Sequence, residues 1–405
     1  MKMERDRYIS YYKDANFLRF KQFSLERDIL RIAAGLFEAE KSIKTGSNIS
    51  KVSIPISYET YIKIDAKRLQ RVLEELVLLI LYENLKVEIA AVDDLTGRVH
   101  KTVTFPQKET IILFSGGVDS YAGLKMAEQK YESLLGIFVA HNDQSRIINI
   151  VHELKRTIIT EIKTLYAPGM GSLGYSQLRG FLYVLYGGAI LNVCAGKNLL
   201  VTECGPTMYQ PLFSPYDSIT YTTHPYVLKA ALEVLKIILP FKPRIIIPFE
   251  DLTKAEIISN SGIKDFSETH SCLSQRFGDH DGTCFGCVTK RLSCLINGVK
   301  DVAYNKDVFQ PSANQDNLLN LLVFSEELVD HYDRLPYFQR DKIDEFKKLN
   351  LFTRFALDSL AGLMMAVDKK HFLYKRFVKR KKILEHRVSE IIKNPQKPDF
   401  TKAIV

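Results

Sequence analysis

The chain has 405 residues and a mass of 46.4 kDa, which at roughly 100–200 residues per domain means two or three domains. Apolar residues at 46% and charged residues at 25% exclude wholesale disorder. The net charge of +9 is concentrated in Lys369–Lys382, which alone holds eight Lys and Arg residues, so overall charge is weak evidence for nucleic acid.

The first residues, MKMERDRYISYYKD, lack the apolar core of a secretory signal. Leu25–Glu40 reads as a helix, Ser50–Ser57 as an alternating strand, Ala66–Glu83 as an amphipathic helix and Lys86–Val92 as a second strand. These place an α+β accessory domain over residues 1–108, with no chemistry evident in it.

A second regime follows. Ile111–Phe114 is an apolar strand, Tyr121–Lys130 a helix and Leu134–Ala140 a strand, and His152–Leu165 is expected as a crossover helix. Gly180–Gly196 is the least polar stretch; it falls short of the ~20 residues of a membrane span and reads as a buried helix. Asn198–Thr202 and Arg244–Pro248 are further strands, with a helix at Pro225–Leu239 between them. Short apolar strands alternating with helices predict an α/β domain over 109–300, a parallel sheet covered on both faces. Residues 301–405 are expected to be helical, at Asp316–Tyr332, Gln339–Lys348, Phe352–Val367 and His371–Ile392, with Pro395–Val405 a loose tail. A soluble, cytoplasmic protein without a membrane segment is expected.

The most informative segment joins the first strand of this domain to its first helix: Ser115-Gly116-Gly117-Val118-Asp119-Ser120. Gly116 and Gly117 allow close approach of the backbone to a ligand. Ser115 and Ser120 offer hydroxyls, and the helix behind them offers free N–H groups and a positive dipole end. Asp119 would repel phosphate unless a divalent cation bridges the two, which points to Mg²⁺. Neither a Walker A nor a G-x-G-x-x-G pattern is present. The alternative is an ordinary Gly-rich turn with a capped helix.

Four of the six cysteines, Cys272, Cys284, Cys287 and Cys294, fall within 23 residues. The Cys284-x2-Cys287 knuckle with Cys272 offers three thiolates to a tetrahedral Zn²⁺, with Asp281 or His280 as the fourth ligand, over a segment spanning 272–291. Cys194 and Cys204 sit in apolar surroundings and read as buried small residues.

The SGGVDS turn resembles the signature of PP-loop ATP pyrophosphatases. With the knuckle CFGCVTKR about 150 residues later, the chain resembles the QueC-like family, which includes 7-cyano-7-deazaguanine synthase. In that family a further cysteine stands where this chain has Asp281, and an Arg where it has Lys290. Leu252–Ile257 (LTKAEI) resembles a second family motif, with Lys254 its basic residue. The segments QLRGFLYVLYGGAIL and SITYTTHP look like QueC-like proteins of anti-phage defence operons, the type IV CBASS and Qat systems. The resemblance covers about residues 110–300.

What it implies is a PP-loop fold that binds ATP, Mg²⁺ and Zn²⁺. ATP would be held by Ser115, Gly116, Gly117, Val118, Asp119, Ser120 and His141, with Asp119, Lys254 and Arg179 catalytic. The implied reaction adenylates a 7-carboxy-7-deazaguanine-type carboxylate and passes the acyl group to an amine, in the defence branch the N-terminus of a CD-NTase-like partner protein. One carboxylate can accept from the adjacent N1–H and NH₂ of a guanine-like base. Glu203 is the candidate, a capping or solvated Glu the alternative. Thr223 and His224 fall in a family motif yet could equally cap the helix at Pro225, and Arg179 could equally form a surface salt bridge. The same chemistry with ammonia would make 7-cyano-7-deazaguanine. A third reading is an inactive nucleotide-binding scaffold that holds RNA on the basic helix, against which stands a docked helix with a solvated basic face.

Overall fold

A computed structural model describes residues 25–47, 49–93, 105–140, 154, 157–166, 176–209, 222–272, 280–310, 313–331, 345–370, 372–389 and 396–404. The chain opens with helix α1 (Leu25–Lys44), strand β1 (Lys51–Ser57), the single turn α2 (Tyr58–Tyr61), helix α3 (Ala66–Leu81) and strand β2 (Lys86–Val92). β1 and β2 pair in parallel, from Lys51 opposite Lys86 to Ser57 opposite Val92. The Asp65 side chain caps α3 by accepting from the Arg68 N–H at 2.9 Å.

The next elements are β3 (Thr110–Leu113), α4 (Val118–Glu128), β4 (Leu134–Ala140), β5 (Ile162–Tyr166), α5 (Arg179–Val193), β6 (Asn198–Leu200), the short helix α6 (Gly205–Tyr209), α7 (Pro225–Ile238) and β7 (Arg244–Ile246). The five strands form one sheet in the order β5-β4-β3-β6-β7, every pair parallel. Side-chain alternation accounts for the two covered faces. Ile111, Leu135, Ile137, Leu199 and Ile245 enter one hydrophobic core with α5 and α7. Ile112, Phe138, Leu200 and Ile246 enter the opposite core with residues of α4. The chain moves outward from β3 to β4 and β5, then crosses to β6 on the other side. The connections above β3 and β6 therefore diverge and leave a crevice at the carboxyl ends of these strands.

The expected crossover helix His152–Leu165 is corrected: Ile162–Tyr166 is the edge strand β5, paired with Gly136–Ala140. A Cβ on Gly136 would come within 2.8 Å of Ile162. The glycine makes room for this neighbour, and β pairing overrides the helical spacing. Residues 151–153, 155 and 156 lie outside the described residues.

Three further helices follow the sheet: α8 (Lys254–Ser261), α9 (Phe285–Asn297) and α10 (Asp316–Asp330). Then come α11 (Glu345–Ala366) and α12 (Phe372–Arg387). The helices expected separately at Gln339–Lys348 and Phe352–Val367 are one from Glu345 onward, because Leu349-Asn350-Leu351 holds no breaker. α9 to α12 share a third core around Leu292, Leu321, Phe324, Phe355, Leu360 and Phe377.

The N-terminal elements are continuous with the sheet domain's core through α1 against α5 and α3 against α7. The contact includes a polar anchor. Glu40 of α1 is buried and accepts from Ser176 Oγ at 2.6 Å and from the N–H groups of Gln177 and Leu178 at 2.6 and 3.1 Å. A carboxylate there satisfies the orphan donors at the start of α5 and suits its dipole. No helix among the described residues is long and apolar enough to cross a membrane.

The tail is not loose over its described residues. Ala403 bridges Ile246 in antiparallel sense, with Ile247 N–H donating to Lys402 O at 3.0 Å and Ile404 N–H to Ile245 O at 2.9 Å. Phe400 is buried against Phe249 and Tyr131, and Lys402 pairs with Glu250 and Asp251. The tail covers the otherwise open edge of β7. Phe400→Ala should therefore cost about 3 kcal/mol and lower the thermal midpoint, as seen by circular dichroism. An unfolding curve identical to wild type would show the tail undocked in solution.

Candidate functional site

The turn after β3 is built by its own residues. Gly116 has φ +77°, open to glycine at little cost, and Gly117 is the N-cap of α4. The Ser115 N–H donates to Ser120 Oγ at 3.2 Å, the two serine hydroxyls lie 3.0 Å apart, and Ser120 Oγ donates to Gly117 O at 3.1 Å. The His270 N–H donates to Gly116 O at 2.9 Å, and a Cβ on Gly117 would come 3.2 Å from His270 O. The turn is thus held against the segment that leads to Cys272. Val118 is buried at the start of the helix.

Asp119, in the first turn of α4, receives a charge-assisted hydrogen bond from Lys254 Nζ at 2.5 Å; both side chains are almost fully enclosed. Burial opposes ionisation of Asp119, but the Lys254 ammonium and hydrogen bonds from Glu203, Lys254 and Cys204 outweigh it and hold the carboxyl below its ordinary range. Burial likewise opposes the charge on Lys254, and Asp119 foremost reverses this and raises it. Glu203, at the carboxyl end of β6, is pushed the other way, up to about 8, by burial and by the Asp119 carboxylate. Of two carboxyls beside one ammonium, Asp119 is thus favoured in its ionised form and Glu203 is displaced toward its protonated form. Burial also raises the Cys204 thiol, which lies 3.0 Å from Thr207 Oγ1. Asp119, Glu203 and Cys204 form a group that could hold a metal ion, their ligand atoms within 4.8 Å of one another. The group sits at the β3/β6 crevice.

The position of Lys254 is set by the helix it begins. Thr253 caps α8: its hydroxyl accepts from the Glu256 N–H at 3.2 Å, and Glu256 accepts from the Thr253 N–H at 2.9 Å, a capping box. α11 closes this cap from behind. The Thr253 hydroxyl is 2.5 Å from the Asp358 carboxylate, Arg354 pairs with Glu256, and Arg354 Nη2 donates to Asp251 O at 2.7 Å. Burial, then the nearby Glu256 charge, push Asp358 up to about 7. Asp358, Arg354 and Cys204 were not recognisable from spacing. The only sequence signal nearby is the Thr-x-x-Glu of the capping box.

The second centre is the cysteine cluster. Cys272, Asp281, Cys284 and Cys287 bring their ligand atoms within 4.8 Å of one another, and Cys284 Sγ and Cys272 Sγ are 3.9 Å apart. A tetrahedron with Zn–S near 2.3 Å has an edge of about 3.8 Å, so the donor set fits such an ion. Asp281 Oδ1 also accepts from the N–H groups of Thr283 and Cys284 at 2.7 and 3.0 Å. Gly282, at φ +87°, turns the chain where a Cβ would strike Lys306 O. Cys284 is the N-cap of α9, whose dipole favours thiolates at its start. His280 lies outside the cluster; its ring is tilted 57° to that of His270 with centroids 5.0 Å apart, and burial foremost lowers it to about 4. Cys294 is buried in the core beside β3 and α4. Residues 273–279 lie outside the described residues. Lys290 is fully buried and donates to the carbonyls of Phe266 and Thr269 at 3.1 and 2.9 Å, tying α9 to the strip that carries His270 and Cys272.

Arg179 heads α5 and makes no hydrogen bond or ion pair with any described residue. Beside it a Cβ on Gly180 would overlap Thr222 O, so the 222–224 loop lies against this helix start. His224 caps α7, its Nδ1 accepting from the Tyr226 N–H at 3.3 Å, and the buried Thr223 hydroxyl has no partner among the described residues. His141 lies outside the described residues. No protein-family model matches the chain, and no curated protein matches it.

The purified protein should hold about one zinc per chain. Cys284→Ser should lose it, with a fall in thermal midpoint, since a structural ion contributes directly to folding; Cys294→Ser should keep it. Elemental analysis decides, and a zinc-free wild type would make the cluster merely reduced cysteines. At the other centre, Asp358→Ala removes the brace behind the Thr253 cap. It should destabilise the fold by the ~1–1.5 kcal/mol of a lost cap interaction, read as a lower thermal midpoint by circular dichroism. Asp358→Asn, which preserves the hydrogen bond, should retain most of that stability.

Proposed function

We propose that the chain is an ATP-dependent, pyrophosphate-forming ligase of the QueC-like type. It would adenylate a 7-carboxy-7-deazaguanine-type carboxylate and transfer the acyl group to an amine, in the defence setting the N-terminus of a CD-NTase-like partner. The observation that carries this reading is the enclosed Asp119–Lys254 pair, with Glu203 beside it. It lies under a glycine turn at the crevice between diverging strands, where α/β folds bind nucleotides.

In this reading the N–H groups at the start of α4 and the Ser115 and Ser120 hydroxyls bind the pyrophosphate portion of ATP. Asp119 and Glu203 are the oxygen donors that would hold Mg²⁺, which supplies neutralising charge between carboxylate and phosphate; the protonated Cys204 thiol is a poor ligand for so hard a cation. A substrate carboxylate oxygen bonds to the α-phosphorus, the bond to the β-phosphate's bridging oxygen breaks, and pyrophosphate departs with the electron pair. Lys254, fixed on a capped helix, faces the charge that grows on the α-phosphate. An amine nitrogen then attacks the acyl carbon, AMP leaves, and the nitrogen sheds a proton. Most of the work is positioning and charge neutralisation. Arg179, on a helix start anchored by Glu40, is the residue of this end of the fold suited to a second anionic group. With both carboxyls at the Asp119–Lys254 pair, Glu203 is better supported as a partner of Asp119 than as a reader of the base.

Pyrophosphate release with ATP, Mg²⁺ and carboxydeazaguanine tests the reading. Asp119→Asn should lower it by at least about 100-fold with the circular dichroism spectrum unchanged. Mass spectrometry of the same mixtures identifies the acceptor: a mass gain on the partner supports protein conjugation, and free nitrile base supports the synthase reaction. Wild-type turnover in Asp119→Asn would overturn the PP-loop assignment.

A further inference from the structure

The basic helix α12 has an inner and an outer face of different character. Phe377, Leu384 and Val388 are buried in the helical core with α10 and α11. On the flanks Arg376 and Arg380 pair with Glu326 of α10, Lys381 pairs with Glu385, and Arg387 donates to Leu328 O and Val329 O at 3.1 and 2.7 Å. These contacts account for the docking of the helix and for four of its charges.

Lys375, Lys379 and Lys382 are exposed and have no ion pair or hydrogen bond among the described residues. Their spacing of four and three places them on one strip about 60° wide on a 3.6-residue helix. That strip lies opposite the buried Phe377–Leu384–Val388 face. Lys369 and Lys370, also exposed, stand just before the helix. Within α12 the only carboxylate is Glu385, already engaged by Lys381. The uncompensated charge is therefore a surface property of one helix face and is not consumed by folding.

We infer that this strip docks a nucleic-acid duplex through its phosphate backbone. Three ammonium groups on successive turns, about 5.4 Å apart along the axis, meet a backbone that carries a charge every 3.4 Å per strand. Lysine acts as a point charge that neutralises phosphates without reading bases. Single-stranded recognition would call for aromatic platforms among the lysines; Phe377 is buried, and the half-buried Tyr374 stands about 80° round the helix from the nearest lysine of the strip. Insertion into a lipid surface would call for a free apolar face, and the apolar face of this helix is spent on the core. The inference does not depend on the reaction proposed above.

Fluorescence anisotropy of a labelled B-form duplex with the full chain, from 50 to 200 mM salt, tests it. Wild type should bind in the micromolar range at low salt and weaken steeply as salt rises. The triple variant Lys375→Gln, Lys379→Gln, Lys382→Gln should bind at least about tenfold more weakly at low salt. Its log–log salt slope should be shallower by about 2.7, from 0.9 per phosphate contact over three contacts. Lys381→Gln should leave both nearly unchanged, and pyrophosphate release should be unaffected in the triple variant. Equal affinity and slope in wild type and triple variant would overturn the inference. So would a polyglutamate chain that binds wild type as tightly as the duplex and loses affinity in the same variant, since the strip would then serve an acidic protein.

Discussion

The Asp119–Lys254 contact is the interaction around which the rest of the structure is arranged. Enclosing two opposite charges is costly, and the attraction between them repays desolvation only when geometry is held and further hydrogen bonds complete the shell. Such a pair is weak evidence for stability and stronger evidence for a site. Asp119 is fixed by the strand–turn–helix that follows β3, and Lys254 by a capping box one turn after β7. The two strands lie on either side of β6, which delivers Glu203 between them. A third charge added to a compensated pair cannot stay ionised at little cost, which is why Glu203 is the carboxyl that rises.

Segments far apart in sequence brace this edge of the sheet. The 266–272 strip pins Gly116 through the His270 N–H and is itself held by the buried Lys290 of α9. Cys284 is the N-cap of α9, so an ion in the cysteine cluster would fix the strip and the helix to each other two residues beyond His270, which holds the Ser115–Ser120 turn. A structural metal placed so would influence the turn without touching a reacting atom. On the other side, Lys402 of the tail engages Glu250 and Asp251, and the Asp251 carbonyl receives Arg354. The residues just before Lys254 are thereby tied to both the tail and α11.

Much of this could be read from residue order. Local patterns carried the strands whose apolar runs are bounded by turn residues, the glycine turn, and the Cys-x2-Cys knuckle with an aspartate three residues before it. What escaped depends on contacts between distant segments. Ile162–Tyr166 is followed by Pro168-Gly169, a turn signal that fits a strand end, but no such signal precedes it and the residues before it carry helical spacing; its strand state comes from the partner β4 and the room left by Gly136. The tail 396–404 is short and polar apart from Phe400, Ala403 and Ile404, and it is ordered by an open sheet edge that no local pattern announces. Asp358 and Arg354 look like surface charges of an amphipathic helix until the α8 cap is placed against them. His224 shows the reverse: a residue that reads as a candidate for the substrate site performs an ordinary capping task visible from the following proline.

The C-terminal helices then have a physical role that their sequence alone does not state. The inner face of α11 reaches the cap of Lys254 through Asp358 and Arg354, while its core residues hold α12 by way of Phe377 and Leu384. Two faces of one bundle therefore meet two different surroundings, the enclosed ion pair on one side and solvent on the other. Because the bundle is packed as a single core, a load on the outer face of α12 is borne by the same side chains that seat α11 against Thr253. Any coupling between them would need two discrete packings of that core, and none is required for either face to work. The economical view is that α11 is a fixed brace for the lysine and that α12 adds a charged surface at little cost to the fold, since its lysines are solvated and its apolar residues are already buried.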